Sequence, residues 1–239
     1  MLSKQTRDNL ADYQHHYHTH GWVRMDNYFD LDTIVQCSEL LQQVAGDVQK
    51  WQLVTLVQGQ AFKAKVNNYL SQPPQVRSHF IAELLRFAQQ NEFQYFYEFI
   101  RLISEKDNAP ELLEPMAQLI GSDSNIQTMQ QISAQQSISQ IDAQLTGYKP
   151  GHFLKRHSDD GYKSNKKRKV AYVLSLSKDW QADWGGLLHL QDKNKRIIES
   201  FTPTYNTLIL FKVPTSHLVS QVTNYCPQTR FSISGWLWE

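Results

Sequence analysis

The 239-residue sequence predicts a mainly β fold with flanking helices, a two-sheeted jelly roll packed against a helical N-terminal region. Three observations carry this. Apolar residues follow a helical period before about residue 140 and fall into short alternating runs after it. Those runs number eight, which suits a jelly roll. The breaks between them carry turn chemistry, as in Lys149-Pro150-Gly151, Asp183-Trp184-Gly185-Gly186 and Pro203-Thr204-Tyr205-Asn206.

Taken in order, residues 32–44 read as a helix because Ile34, Leu40, Leu41 and Val44 share one face, with Asp30 or Asp32 as N-cap. Residues 75–90 read the same way, as do 110–120 with their early proline. Residues 22–29 and 51–57 are strand-like instead, placed to extend the edge of a sheet formed by the second half. The stretch 127–140 is rich in Gln and Ser. The eight candidate strands are 141–148, 152–157, 169–177, 186–192, 197–202, 207–213, 217–222 and 230–238. The chain thus divides into a supporting, mainly helical region 1–140 and a β core 141–239, read together as one integrated domain with helices covering one sheet.

Composition narrows the function. Hydrophobic residues make up 41% and charged residues 20%, so a buried core is expected rather than disorder. A net charge of +1 gives no sign of a nucleic-acid partner held by charge. Cys37 and Cys226 form no C-x-x-C pair, which fits a reducing compartment. No apolar run reaches the roughly 18 residues needed to span a bilayer. The first residues also lack the apolar centre of a secretory signal, so no membrane partner and a cytoplasmic location are expected.

His157 and Asp159 stand two positions apart, a spacing that points both side chains to one side of an extended strand. His217, at the head of the seventh strand, is placed to add a third ligand. Two imidazoles and a carboxylate on one face of an octahedral ion leave positions free for small molecules, unlike a structural zinc site closed by four protein ligands. Arg230 opens the last strand, and its guanidinium fork suits a distal carboxylate; Ser234, four residues on, shares its face and would add a hydrogen bond.

The run 148–159 (YKPGHFLKRHSD), the strand 171–180 (AYVLSLSKDW), 184–188 (WGGLL), His217 and 230–236 (RFSISGW) together resemble the prolyl 4-hydroxylase-like branch of the 2-oxoglutarate/Fe(II) dioxygenases. The likeness covers roughly the last hundred residues. It implies a double-stranded β-helix, the cupin-like form of the jelly roll, with iron on His157, Asp159 and His217. It also implies Arg230 on the far carboxylate of 2-oxoglutarate, Tyr148 hydrogen-bonded to that co-substrate, and Leu188, Val219, Ser234 and Trp236 lining its pocket. Cofactors implied are Fe(II), 2-oxoglutarate and O2, with ascorbate as accessory reductant. In some relatives a tyrosine on the third strand also holds the co-substrate; here Ser175 stands at that position, and the neighbouring Tyr172 has the opposite strand parity. Retention of the carboxylate ligand Asp159 points to hydroxylation over halogenation.

Other features have plainer readings. Trp236 serves equally well as core or as pocket wall. His15, His16, His18 and His20 bring no carboxylate or cysteine partner and read as a solvated helix end rather than a second metal site. The basic run 163–169 (KSNKKRK) reads as a solvated loop, placed as a flap beside the ligands, more than as a nucleic-acid signal. Cys226 reads as a small buried hydrophobe. The leading functional expectation is hydroxylation of a prolyl residue in a protein, with conversion of 2-oxoglutarate to succinate. The alternatives are hydroxylation of a free amino acid or small molecule and, from another class, a non-catalytic jelly-roll binding or sensing module.

Overall fold

The computed structural model describes residues 1–90, 93–104, 109–160 and 167–239. Two short helices open the chain, α1 (Lys4–Asp8) and α2 (Leu10–His20). Helix α2 ends at Gly21, whose φ of +78° lets its N–H reach Tyr17 O before the chain turns into β1 (Trp22–Met25). Helix α3 (Leu31–Ala45) is capped by Asp30, which accepts from Thr33 N at 2.9 Å, and it buries Ile34, Cys37, Leu41 and Val44 along one face. The hairpin β2 (Gln52–Val57) and β3 (Gln60–Lys65) follows, then α4 (Val66–Leu70) and α5 (Pro74–Gln90), with its proline in the first turn. Next come β4 (Tyr95–Ile103), α6 (Glu114–Ile120) and α7 (Asp123–Ser133).

The second half is built of strands: β5 (Gln140–Ile141), β6 (Ala143–Tyr148), β7 (Phe153–His157), β8 (Arg168–Ser175), β9 (Leu188–Gln191), β10 (Ile197–Phe201), β11 (Thr207–Lys212), β12 (Ser216–Val219) and β13 (Arg230–Trp238). All eight predicted runs are strands, the first of them split into β5 and β6. The antiparallel path runs β1-β11-β8-β13-β6-β4-β7-β12-β9-β10 and curls until its ends meet, where the rings of Trp22 on β1 and Phe201 on β10 lie 5.1 Å apart. Two N-terminal elements differ from the sequence reading. Strand β1 is an edge, as expected, but β4 pairs with both β6 and β7, so it sits inside the sheet, and β2 joins through β4. The polar stretch read only as Gln/Ser-rich holds the end of α7, whose Asn125 accepts from Tyr28 Oη at 2.7 Å and donates to Ile120 O at 2.7 Å.

Strand parity sorts the side chains into two cores. On β8, Val170, Tyr172 and Leu174 face the helices, while Ala171 and Val173 face the inside of the curl. Strand β11 repeats this, with Leu208 and Leu210 outward and Ile209 and Phe211 inward. The outward set packs with Ile34, Leu41, Val44 and Met116, so the helices cover one sheet face as anticipated. A fully buried leucine such as Leu210 contributes about 1.5–3 kcal/mol by this burial. The smaller inner core walls the candidate site.

Candidate active site

His157 ends β7, and His217 is its register partner on β12, with ring centroids 4.1 Å apart. Asp159 lies beyond the strand, with φ of +64°. Its carboxylate therefore returns to the histidines through a left-handed turn and not by the strand alternation inferred from spacing; aspartate is one of the few residues that tolerate that turn. Asp159 Oδ1 is 3.4 Å from His157 Nε2 and Oδ2 is 3.5 Å from His217 Nε2. The donor atoms of the three residues all lie within 4.8 Å of one another, the one such group among the described residues.

The tautomers follow from the backbone. His157 Nδ1 is 3.0 Å from Lys155 O and His217 Nδ1 is 2.8 Å from Thr215 O, so each Nδ1 carries the proton and donates it. Each Nε2 then turns a lone pair toward the carboxylate. Burial, with the neighbouring His157, pushes the His217 pKa down to about 4, so this ring is neutral near pH 7. Burial alone would raise the Asp159 carboxyl, but the Trp236 N–H, and His157 and His217 when acid protonates them at Nε2, outweigh it and hold the group well below the ordinary carboxylate range. Two imidazole lone pairs facing one buried carboxylate repel each other unless a cation lies between them. The donor set suits Fe(II), and carbonyl-fixed histidines are the usual outer support of such a site.

Trp236 donates from Nε1 to Asp159 Oδ2 at 2.8 Å, so its indole orients the carboxylate as well as walling the site. Arg168 stacks on Trp236, 3.7 Å from its ring centroid, and lies 3.6 Å from Asp159 Oδ1. Arg168 sits in the basic run and so has no site role in the sequence reading. In the structure Arg168 and Lys169 belong to β8, and the Lys167 backbone pairs with Glu239, so this end of the run is not a loop; residues 163–166 lie outside the described residues.

A buried cation stands on the same inner wall. Arg230 opens β13 opposite Tyr148, is only 3% exposed, and lies 5.3 Å from the Tyr148 ring centroid. Its Nη1 donates to Ser232 Oγ at 3.1 Å, and Ser232 Oγ shares a 2.8 Å bond with Thr146 Oγ1. The hydroxyl that meets the guanidinium is thus Ser232; Ser234 lies on the same inner face, two residues nearer Trp236. Among the described residues Arg230 Nε and Ser175 Oγ are buried without hydrogen-bond partners, and Ser175 stands opposite Ser232 in the register. Among the described residues no carboxylate pairs with Arg230, and burial presses its pKa downward. Desolvating a guanidinium costs several kcal/mol, so an anion belongs beside it. Gly186 keeps this space open: its φ is +66° and a Cβ there would sit 3.0 Å from Arg230 Cδ.

Leu188 and Val219 form a cross-strand pair in the inner core with Tyr148 and Cys226. Tyr172 faces the helical core, where its hydroxyl donates to Asp142 O at 2.7 Å, so it takes no part in the site. Two aromatic residues escaped the sequence reading because β4 did. Tyr97 stacks on Tyr148 at 5.1 Å and 12°, and Phe93, exposed at the sheet margin, lies 5.4 Å from the His157 ring. Their signal was the run 93–99 (FQYFYEF), which carries aromatics on both faces and so lacks clean alternation. Of the histidine cluster, His15, His18 and His20 are exposed on α2 as read, whereas His16 is half-buried against Trp22.

A profile described as the 2OG-Fe(II) oxygenase superfamily matches residues 143–238, the stretch that carries both the triad and Arg230. The chain is similar to a PKHD-type hydroxylase of Synechocystis, 30% identical over 113 residues, covering 42% of this chain and 37% of that protein. It is similar also to mouse prolyl 3-hydroxylase OGFOD1, 40% identical over 78 residues, covering 30% of this chain and 14% of that protein. The matches therefore span well under half the length of these curated relatives. In fold, the chain resembles a Trichoplax adhaerens prolyl hydroxylase in complex with a hypoxia inducible factor oxygen degradation domain peptide, with a TM-score of 0.59, 15% identity, and 100% and 94% of the two chains covered.

Proposed function

We propose that this chain is an Fe(II)- and 2-oxoglutarate-dependent dioxygenase that hydroxylates a prolyl residue of a protein or peptide. The observation that carries the reading is one barrel interior holding a gathered set of metal-ligating side chains and a buried cation. Among the described residues, His157, Asp159 and His217 offer a metal three ligands and no fourth, and no carboxylate pairs with buried Arg230. When bound, Fe(II) and 2-oxoglutarate supply the oxidising chemistry, in which O2 is consumed as 2-oxoglutarate loses carbon dioxide to give succinate and the substrate gains a hydroxyl.

The chain's own part is ligation, orientation and exclusion of water. The Lys155 and Thr215 carbonyls fix the imidazoles with Nε2 free to ligate. Trp236 holds Asp159 in place through Oδ2. Arg230, backed by Ser232 and Thr146, takes the far carboxylate of the co-substrate, with Tyr148, Leu188, Val219 and Ser234 as the wall around its carbon chain. Ascorbate would serve as accessory reductant.

A protein substrate is favoured by the prolyl hydroxylase relatives and by Phe93, whose exposed ring beside His157 offers the kind of aromatic surface on which proline-containing segments dock. No helix among the described residues is long and apolar enough to cross a membrane. Free, buried Cys37 and Cys226 favour a cytoplasmic setting. The test is mass spectrometry of a cell extract incubated with the purified chain, Fe(II) and 2-oxoglutarate. A gain of one oxygen on a proline supports the reading, and succinate formation that accompanies oxidation of small molecules alone would replace it with the small-molecule alternative.

A further inference from the structure

The two ends of the curled sheet enclose a second cavity, of about 450 Å³, between α2, β1 and β10. Its aromatic side is Trp22, with His16 at 4.5 Å (68° between rings) and Phe201 at 5.1 Å (72°), an edge-on box completed by Tyr13. Its charged side is Asp12 and Glu199. Among the described residues neither acid forms an ion pair with a lysine or arginine; Glu199 Oε1 accepts from the Ser200 backbone N–H at 2.9 Å, and Glu199 acts electrostatically on His16, which burial keeps mainly neutral. Arg24 also lines the cavity, with its guanidinium held to Asp26 outside the acidic side, Nε donating at 2.9 Å. His16 adds a buried Nε2 with no hydrogen-bond partner.

This cavity adjoins the candidate active site. Trp22 is the register partner of Phe211, whose ring lies 4.8 Å from that of His217. Glu199 lies in register with Leu190, and Leu190 with His217. A chain laid over the metal ligands would therefore reach the cavity within a few residues.

We propose that this cavity binds the arginine or lysine side chain of an extended peptide, and so selects substrates that carry a basic residue a short distance from the hydroxylated one. Aromatic rings stabilise a cation over their faces, two carboxylates without a lysine or arginine partner among the described residues supply its counter-charge, and the volume accommodates a long basic side chain. The link to hydroxylation rests on the function proposed above; the binding itself does not.

The test titrates the full chain with N-acetyl-arginine amide, and with N-acetyl-citrulline amide as its uncharged isostere, following the indole N–H resonance of Trp22 by NMR. The expected result is a saturable shift with the arginine compound, weaker by about tenfold or more with citrulline. A comparable loss is expected in the Asp12→Asn, Glu199→Gln double variant, while Ser200→Ala, which removes no charge, binds as the parent does. Equal response to both compounds, or binding undiminished in the double variant, would overturn the proposal. Because the readout is binding, a chain that takes the arginine compound yet forms no succinate would sink the hydroxylase reading and leave the cavity standing. One that forms succinate and ignores the probe would sink the cavity alone.

Discussion

Arg230 and Trp236 sit six residues apart on one strand face and make opposite demands on the fold. Arg230 is a buried cation that no carboxylate pairs with among the described residues, a costly arrangement that an anionic ligand would relieve. Arg230→Met should leave the stability of the free chain unchanged or raise it by roughly 1–4 kcal/mol. The same change should weaken 2-oxoglutarate binding by about two orders of magnitude. Denaturant unfolding and calorimetric titration check the two halves, and a large loss of stability would show that the guanidinium is structural. Trp236→Phe keeps the ring and removes the N–H that meets Asp159. Metal affinity, followed by Co(II) titration, should fall by about tenfold or more; unchanged affinity would reduce Trp236 to packing. That His157, Asp159 and His217 would come together was legible in the sequence because the blocks around them resemble a known family, the triad alone being a weak motif. Asp159's left-handed backbone was not, nor was the pairing of Arg230 with Ser232 in place of Ser234, since both depend on geometry that strand parity alone does not specify.

At the scale of elements, the strands after residue 140 were readable because each alternates between a helical core and an inner wall, so period and burial agree. Strand β4 was hidden because it is internal, with aromatic residues on both faces. Helix α7 was hidden because its buried face includes Asn125, Thr128 and Ser133. The turn from β6 into β7 carries its own pH dependence. His152 is buried there against Phe96, and burial lowers its pKa from the ordinary 6.5 to about 3. The unfolded chain thus binds a proton that the folded chain refuses between these values, so stability is whole above about pH 6.5 and declines as pH falls toward 3. The slope from this group is about 1.4 kcal/mol per pH unit at most. Urea unfolding between neutral and mildly acidic pH should show a shallower decline in His152→Leu than in the parent; parallel curves would mean that His152 is not a proton-refusing group.

For the whole molecule, the outer core joins residues from both sides of position 140, and β4 separates β6 from β7 in the sheet path. We propose that residues 1–140 and 141–239 form one integrated domain. A fragment of residues 141–239 alone should therefore lack dispersed amide resonances and bind no metal, whereas a folded fragment would show that the helical region is dispensable. The β core of that domain, in the second half, was legible because its pattern is local. How the first half enters it was not, because pairing β4 with β6 and β7 is a long-range choice that no local period records. The central claim, that one barrel interior holds Fe(II) on His157, Asp159 and His217 and 2-oxoglutarate on Arg230, is tested most directly by following succinate formation from isotopically labelled 2-oxoglutarate under Fe(II) and O2. The structure predicts turnover by the parent chain, at least slowly without substrate, and its abolition in Asp159→Ala. A chain that neither binds nor consumes 2-oxoglutarate, or an Asp159→Ala variant that turns it over as the parent does, would contradict it.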